Sequence, residues 1–134
     1  MRSRLTILIA GIFFTLHAAG APAAELAAQR SSAGGVTVTV TPQNLVASAK
    51  SWDFKMVLDT HSQDLSDDLT KSAVLLDGTG AQHAPVGWDG AAPGGHHRAG
   101  MLRFKPVSPR PQAIELLITR PGEPGPRSFR WQLQ

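Results

Sequence analysis

Val36-Thr37-Val38-Thr39-Val40-Thr41 is the stretch that decides the fold. All six residues are β-branched, stiff at χ1 and better suited to a pleated surface than to a helix. Strand side chains point alternately to opposite faces, so the three valines share one face and define a half-buried strand. Pro42-Gln43-Asn44 ends it. Downstream, Trp52, Phe54, Met56 and Leu58 alternate with Asp53, Lys55 and Val57, predicting a strand over 52–58. Residues 72–77 hold the short apolar run Ala73-Val74-Leu75-Leu76, closed by the turn signal Asp77-Gly78-Thr79-Gly80. Residues 82–88 read as a weaker strand, and Pro85 within it points to a sheet edge because proline cannot donate to a ladder. Three more alternating runs follow, over 101–105, 113–119 and 127–133.

Seven predicted strands with Gly/Pro punctuation and no long helix predict an all-β fold. The strand number and spacing fit an immunoglobulin-like or fibronectin-III-like antiparallel sandwich. The Cys-Trp-Cys hallmark of antibody domains is absent because the chain has no cysteine. Residues 59–71 are polar and acidic, with Leu65 and Leu69 one helical turn apart, and predict a long loop carrying a turn of helix.

The N-terminus carries a different signal. Arg2 and Arg4 precede an apolar run from Leu5 to about Leu16, and Ala21-Pro22-Ala23 offers a small-residue cleavage site. This predicts a signal peptide over 1–23, a flexible leader over 24–34 and the β-sandwich domain over 35–134. The apolar run is short of the roughly 20 residues a membrane span needs, so no stable insertion is expected after cleavage. Cutting after Ala23 leaves 111 of the 134 residues, enough for one core. It leaves 11 basic residues against 10 acidic, so the charge balance does not point to nucleic acid. Without cysteine there are no disulfides, thiolate metal sites or thiol nucleophiles, although export would permit disulfides.

The chemically richest stretch runs from Gly87 to Gly100 and holds His96-His97-Arg98 and five of the thirteen glycines. In a sandwich, successive connections alternate between the two ends. The connection after residue 58 and the one after residue 88 therefore share a pole with the one after residue 119. This brings Asp59, His61, Asp64, Asp67 and Asp68 towards Asp89, His96, His97 and Arg98. Three imidazoles beside carboxylates suit a divalent transition metal such as zinc or copper, with the carboxylates as ligands or as groups orienting the rings. Adjacent strand residues face opposite ways, so His96 and His97 can both ligate only where Gly94-Gly95 breaks the regular backbone. The competing reading is a clasp, in which Asp59, Asp64 or Asp89 accepts hydrogen bonds from His61, His96 and Arg98 and pins the loops. No ligand spacing here matches a zinc signature. His83 reads as a surface strand residue. Asp64, Asp67 and Asp68 lack the calcium-loop pattern and read as an ordinary solvated acidic loop, and Trp52 and Trp131 fall in phase with the core. Trp88, at the mouth of the glycine loop, is left as a surface contact. His61 with Ser62 or Ser66 supplies the letters of a hydrolase triad without a nucleophile elbow, so enzyme activity is not expected.

The segments Asp59-Thr60-His61-Ser62 and Gly94-Gly95-His96-His97-Arg98-Ala99-Gly100 resemble those of small exported bacterial β-sandwich proteins of unassigned role. The resemblance spans about Val36 to Leu133 and implies that His61, His96, His97 and Arg98 belong together. The expectation is an exported, non-enzymatic binding module, periplasmic or secreted. Its sharpest ligand is a divalent transition metal, zinc or copper, at His61, His96 and His97 with Asp59 or Asp64 in support. The alternative is a structural or protein–protein interaction domain of the cell envelope, with the same histidines as an internal hydrogen-bond clasp.

Overall fold

The computed structural model describes residues 26–133. The signal-peptide reading of residues 1–23 and the first residues of the leader lie outside the described residues. Nine strands follow in chain order among the described residues: β1 (Gln29–Ala33), β2 (Val36–Pro42), β3 (Trp52–Thr60), β4 (Ala73–Leu76), β5 (Gln82–His83), β6 (Gly87–Gly90), β7 (His97–Phe104), β8 (Ala113–Ile118) and β9 (Arg127–Gln132). One helical turn, α1 (Leu69–Ser72), stands between β3 and β4, where the sequence predicts it. Asp68 caps α1 by accepting from the Thr70 amide, 3.1 Å away, as short polar residues do at helix starts.

The strands form two antiparallel sheets in the orders β1-β2-β3-β7-β6 and β5-β4-β8-β9. The run β2-β3-β7-β6 facing β4-β8-β9 has the A-B-E-D against C-F-G order of an immunoglobulin-like sandwich. Val36, Val38 and Val40 are buried while the threonines between them are half-buried, as their alternation requires. Trp52, Phe54, Met56 and Leu58 of β3 are fully buried against Leu102 and Phe104 of β7 and Ile114, Leu116 and Ile118 of β8. Aromatic rings pack within and between the layers: Phe54 meets Phe104 of its own sheet edge-on at 5.6 Å and Trp131 of the facing sheet at 5.7 Å. Each such side chain contributes about 1.5–3 kcal/mol on burial, with about 0.5–1.5 kcal/mol more for a well-oriented ring pair.

Four boundaries differ from the sequence reading, each for a physical reason. Residues 29–33, read as flexible leader, form edge strand β1. Their side chains are polar or small and carry no alternation, and the pairing with β2 rests mainly on backbone bonds, with one Ser32–Thr37 hydroxyl contact at 2.9 Å. Gly34 and Gly35, at φ 55° and 78°, supply the left-handed turn that a two-residue hairpin needs. The single strand predicted over 82–88 divides at Pro85. Gln82–His83 pair with β4 in one sheet and Gly87–Gly90 with β7 in the other, so the chain crosses between layers there. β7 starts at His97, four residues earlier than predicted. Its inward positions are Arg98, Gly100, Leu102 and Phe104, and a charge and a missing side chain hide the first two from hydrophobic periodicity. Finally, β3 runs on to Thr60, past the predicted end at residue 58, so Asp59 is a strand residue.

The topology sorts the connections into two ends. The β1–β2, β3–β4, β6–β7 and β8–β9 connections lie at one end, here the loop pole. The β2–β3, β4–β5 and β7–β8 connections and the segment around Leu26 lie at the other, the base. No helix among the described residues is long and apolar enough to cross a membrane.

Candidate functional site at the loop pole

The two segments that the sandwich topology predicts to meet do meet. Gly94 donates to the Leu65 carbonyl at 2.9 Å, Leu65 donates back to Gly95 at 3.1 Å, and Thr60 donates to His96 at 2.9 Å. Asp64 Oδ1 accepts from the Gly95 amide at 2.9 Å. Gly94 and Gly95 have φ of 116° and 76°, a region that favours glycine, which is how the β6–β7 loop lies against the β3–β4 loop. Thr60 Oγ1 donates to Gly35 at 2.8 Å and accepts from the Ser62 and Gln63 amides. The Gln63 side-chain amide donates to Gly34. The Asp-Thr-His-Ser segment thus ties a third connection, the β1–β2 turn, to the same pole.

Beneath these loops lies a buried chain of charges. Arg98 is 2 % exposed and points inward from β7. Its guanidinium donates to the carbonyls of Asp67 at 2.5 Å, Leu65 at 3.3 Å and Ala91 at 3.2 Å. It also stands 5.3 Å from the Trp88 ring centre, within cation–π range. The Trp88 ring lies over the paired glycines Gly90 and Gly100. A Cβ on Gly100 would come within 2.6 Å of Trp88 Cζ2 and 2.7 Å of Gly90 Cα, so only glycine leaves room for the ring. The Asp67 carboxylate receives both forks of Arg120, at 2.8 and 3.0 Å. Arg120 reaches Glu123 at 3.3 Å, and Glu123 takes Arg127 bidentately at 2.5 and 2.9 Å. Arg127 then donates to the carbonyls of Ser31, Ala33 and Val36 at 2.9–3.0 Å. The chain therefore runs from Trp88 to β1 and links all four connections of the pole. Leu65 and Leu69, both fully buried, close the apolar core just below it.

Electrostatics follow from this geometry. Burial pulls the Arg98 guanidinium below its ordinary value, against the opposing charges of Asp67 and Asp68. Burial pulls Arg120 the same way, but the Asp67 contact outweighs it and raises the group overall. The Arg127 hydrogen bonds, with the Arg127 and Arg120 charges, hold the Glu123 carboxyl below its ordinary 4.5 despite burial. A depressed folded-state value means that the unfolded chain takes up a proton first as pH falls. This contribution to stability is whole above about pH 5 and is lost as pH drops through the folded value. Glu123→Gln is expected to cost about 2 kcal/mol at neutral pH and distinctly less near about pH 3, read as the converging of wild-type and variant melting temperatures.

The candidate ligands distribute as follows. Asp59 and His97 are register partners on the outer face of β3 and β7, with Asp59 Oδ1 accepting from His97 Nδ1 at 2.5 Å. Asp64 is turned to the loop backbone. His61 and His96 are exposed on the rim, with no side-chain hydrogen bond among the described residues. Among those residues no group of three or more His, Asp or Glu side chains is placed to hold a metal ion. Asp89, expected to face a histidine or Arg98, pairs with Arg103 at 3.2 Å. His83 is not a free surface residue but meets Asp77 at 3.0 Å. Trp88, left as a surface contact, is partly buried against the core. Asp67, read as part of a solvated acidic loop, is instead buried against Arg120, and the sequence reading missed Arg120, Glu123 and Arg127. The arginines sit in the inward phase of their runs, after Ile118 and before Phe129, and that phase is the signal that could have found them. No protein-family model, no curated protein and no solved structure matches this chain.

Proposed function

We propose that this chain is an exported, non-enzymatic interaction domain of the cell envelope whose loop pole presents a rigid recognition rim to another envelope protein. The observation that supports this is the burial of the arginine–carboxylate chain beneath four surface connections. Arg98, Arg120 and Arg127 spend their hydrogen-bonding capacity inside the protein, so the loops above them are held in one arrangement before any partner arrives. Pre-organisation of this kind lowers the entropy lost on binding. The outward groups are Asp59, His61, Asp64, Asp68, His96 and His97, with Lys71 set against Asp68 at 3.4 Å, a mainly acidic and imidazole surface suited to a partner with basic or amide groups. Of the three donors the sequence assigns to a clasp, Arg98 turns inward onto loop carbonyls beside Arg120 and Arg127, and His61 and His96 are left for the rim.

A photo-crosslinking residue placed in turn at His61, Asp64 and His96, with Ser128 on the opposite sheet as control, tests this in the native cell. A discrete protein adduct from the rim positions and none from Ser128 is expected. Absence of any rim-specific adduct overturns the reading. A second reading, divalent-metal binding, is favoured by the Asp59–His97 pair, since a ligating imidazole commonly donates its other ring nitrogen to a carboxylate. Calorimetric titration of untagged, metal-free protein with Zn²⁺ and Cu²⁺, beside His96→Ala/His97→Ala, distinguishes the two. Stoichiometric micromolar binding lost in the variant supports the metal, and an absence of heat removes it.

A further inference from the structure

The base of the sandwich carries a second, differently built surface. The β2–β3 connection over 43–51 and the β7–β8 connection over 105–112 contain no acidic residue, and between them hold Lys50, Lys105 and Arg110. They are one surface: Arg110 Nε donates to the Leu45 carbonyl at 2.8 Å. Lys50 and Lys105 flank Trp52 and Phe104, which are register partners. Neither lysine is in an ion pair among the described residues, unlike Arg103 and Lys71. Among those residues the two exposed large hydrophobic side chains are Val46 and Val86, at 39 % and 64 %. Both lie at this end. Val46 belongs to the 43–51 connection, and Val86 donates its amide to Arg103, two residues before Lys105. The carboxylate of Asp77, in the β4–β5 turn at the same end, is occupied by Thr79, Ala81 and His83. Nearer the base, Asp53 and Asp89 are set against Arg103, at 3.7 and 3.2 Å, while the exposed carboxylates Asp59, Asp64 and Asp68 are at the opposite pole. The base carboxylates are thus taken up by Arg103 and by the β4–β5 turn, which leaves Lys50 and Lys105, among the described residues, as unpaired cations beside two apolar points. The described chain enters the fold at the base, through Leu26, which packs against the core.

We infer that the base docks peripherally on an anionic lipid bilayer. Lys50, Lys105 and Arg110 meet the headgroups, and Val46 and Val86 enter the interfacial layer. Juxtaposed cations are drawn to an anionic surface within a Debye length, and short apolar side chains beside them add interfacial burial. Docked this way, the domain holds its acidic rim away from a surface that would repel it.

Vesicle co-sedimentation tests the inference, using the chain begun at Ala24, since both sheets and the core lie within residues 26–133. Phosphatidylcholine vesicles with about one-third phosphatidylglycerol are expected to bind the protein, pure phosphatidylcholine vesicles far less, and added salt to weaken the difference. Lys50→Glu/Lys105→Glu is expected to bind the anionic vesicles at least about tenfold more weakly. Lys55→Glu/Lys71→Glu makes the same charge change elsewhere and should retain most of the binding, and melting curves should show both variants folded. Equal binding to the two vesicle types, no binding to anionic vesicles at low salt, or an equal loss in both variants overturns it. These outcomes are independent of crosslinking at the rim.

Discussion

Asp67→Ala is expected to destabilise the protein by about 3–5 kcal/mol, the cost of leaving a buried charge without its partner. Asp67 and Arg120 have side chains 1 % and 3 % exposed, so solvent screening offers little relief. The loss goes beyond one pair. The chain of charges holds three guanidiniums, Arg98, Arg120 and Arg127, against two carboxylates, Asp67 and Glu123. Removing Asp67 leaves three cations facing one anion in the interior. For a domain of this size a loss of that order lowers the melting temperature by well over about 10 °C. A second variant separates pairing from packing. Asp67→Leu/Arg120→Met removes both charges at similar volume and should recover much of the stability, because replacing both members of a buried pair avoids the desolvation penalty. If Asp67→Ala melts within a few degrees of wild type, the buried network is not what ties the pole together.

This network also marks where the sequence is legible. Alternation reads correctly wherever the inward positions are apolar. Val36, Val38 and Val40, Trp52 to Leu58, and Ile114 to Ile118 all lie where their spacing puts them. From strand number alone, the topology brings the β3–β4 and β6–β7 loops to one pole, and the backbone bonds between Leu65, Gly94 and Gly95 bear that placement out. Reading fails where an inward position carries a charge or nothing. Arg98 and Gly100 occupy the inward phase of β7 and Arg127 that of β9, and hydrophobic periodicity counts each as an interruption. These interruptions cluster at the loop-pole ends of their strands. There the apolar interior gives way to crossing loops whose carbonyls need donors, and arginine supplies several donors from one inward position. The histidines, chemically conspicuous in the sequence, lie outside this network. At the pole, His97 meets Asp59 on the exposed outer face rather than inside a clasp.

A chain begun at Val36 should be less stable than one begun at Ala24 by at least about 3 kcal/mol, although the residues removed read as leader. The argument rests on what β1 does for the rest of the fold. It pairs along five residues of β2, from Gln29 opposite Val40 to Ala33 opposite Val36. The Arg127 guanidinium, 4 % exposed, donates to the carbonyls of Ser31 and Ala33, and without them those donors are buried with fewer partners. The Gln29 side-chain amide bonds both backbone groups of Arg130, and the Trp131 indole donates to Ala27 at 2.8 Å, so β1 also covers the edge of β9 in the facing sheet. Its removal opens two strand edges at once, and exposed edges invite pairing between chains. The shortened protein is therefore expected to melt lower, unfold at lower urea, and elute partly as dimer or aggregate in size exclusion. An intermediate chain begun at Leu26 should behave like the longer form, since it keeps β1, Ala27 and the core contact of Leu26. Equal stability of the chains begun at Ala24 and Val36 would make β1 an ornament of the sandwich and return residues 24–34 to the role of a tether.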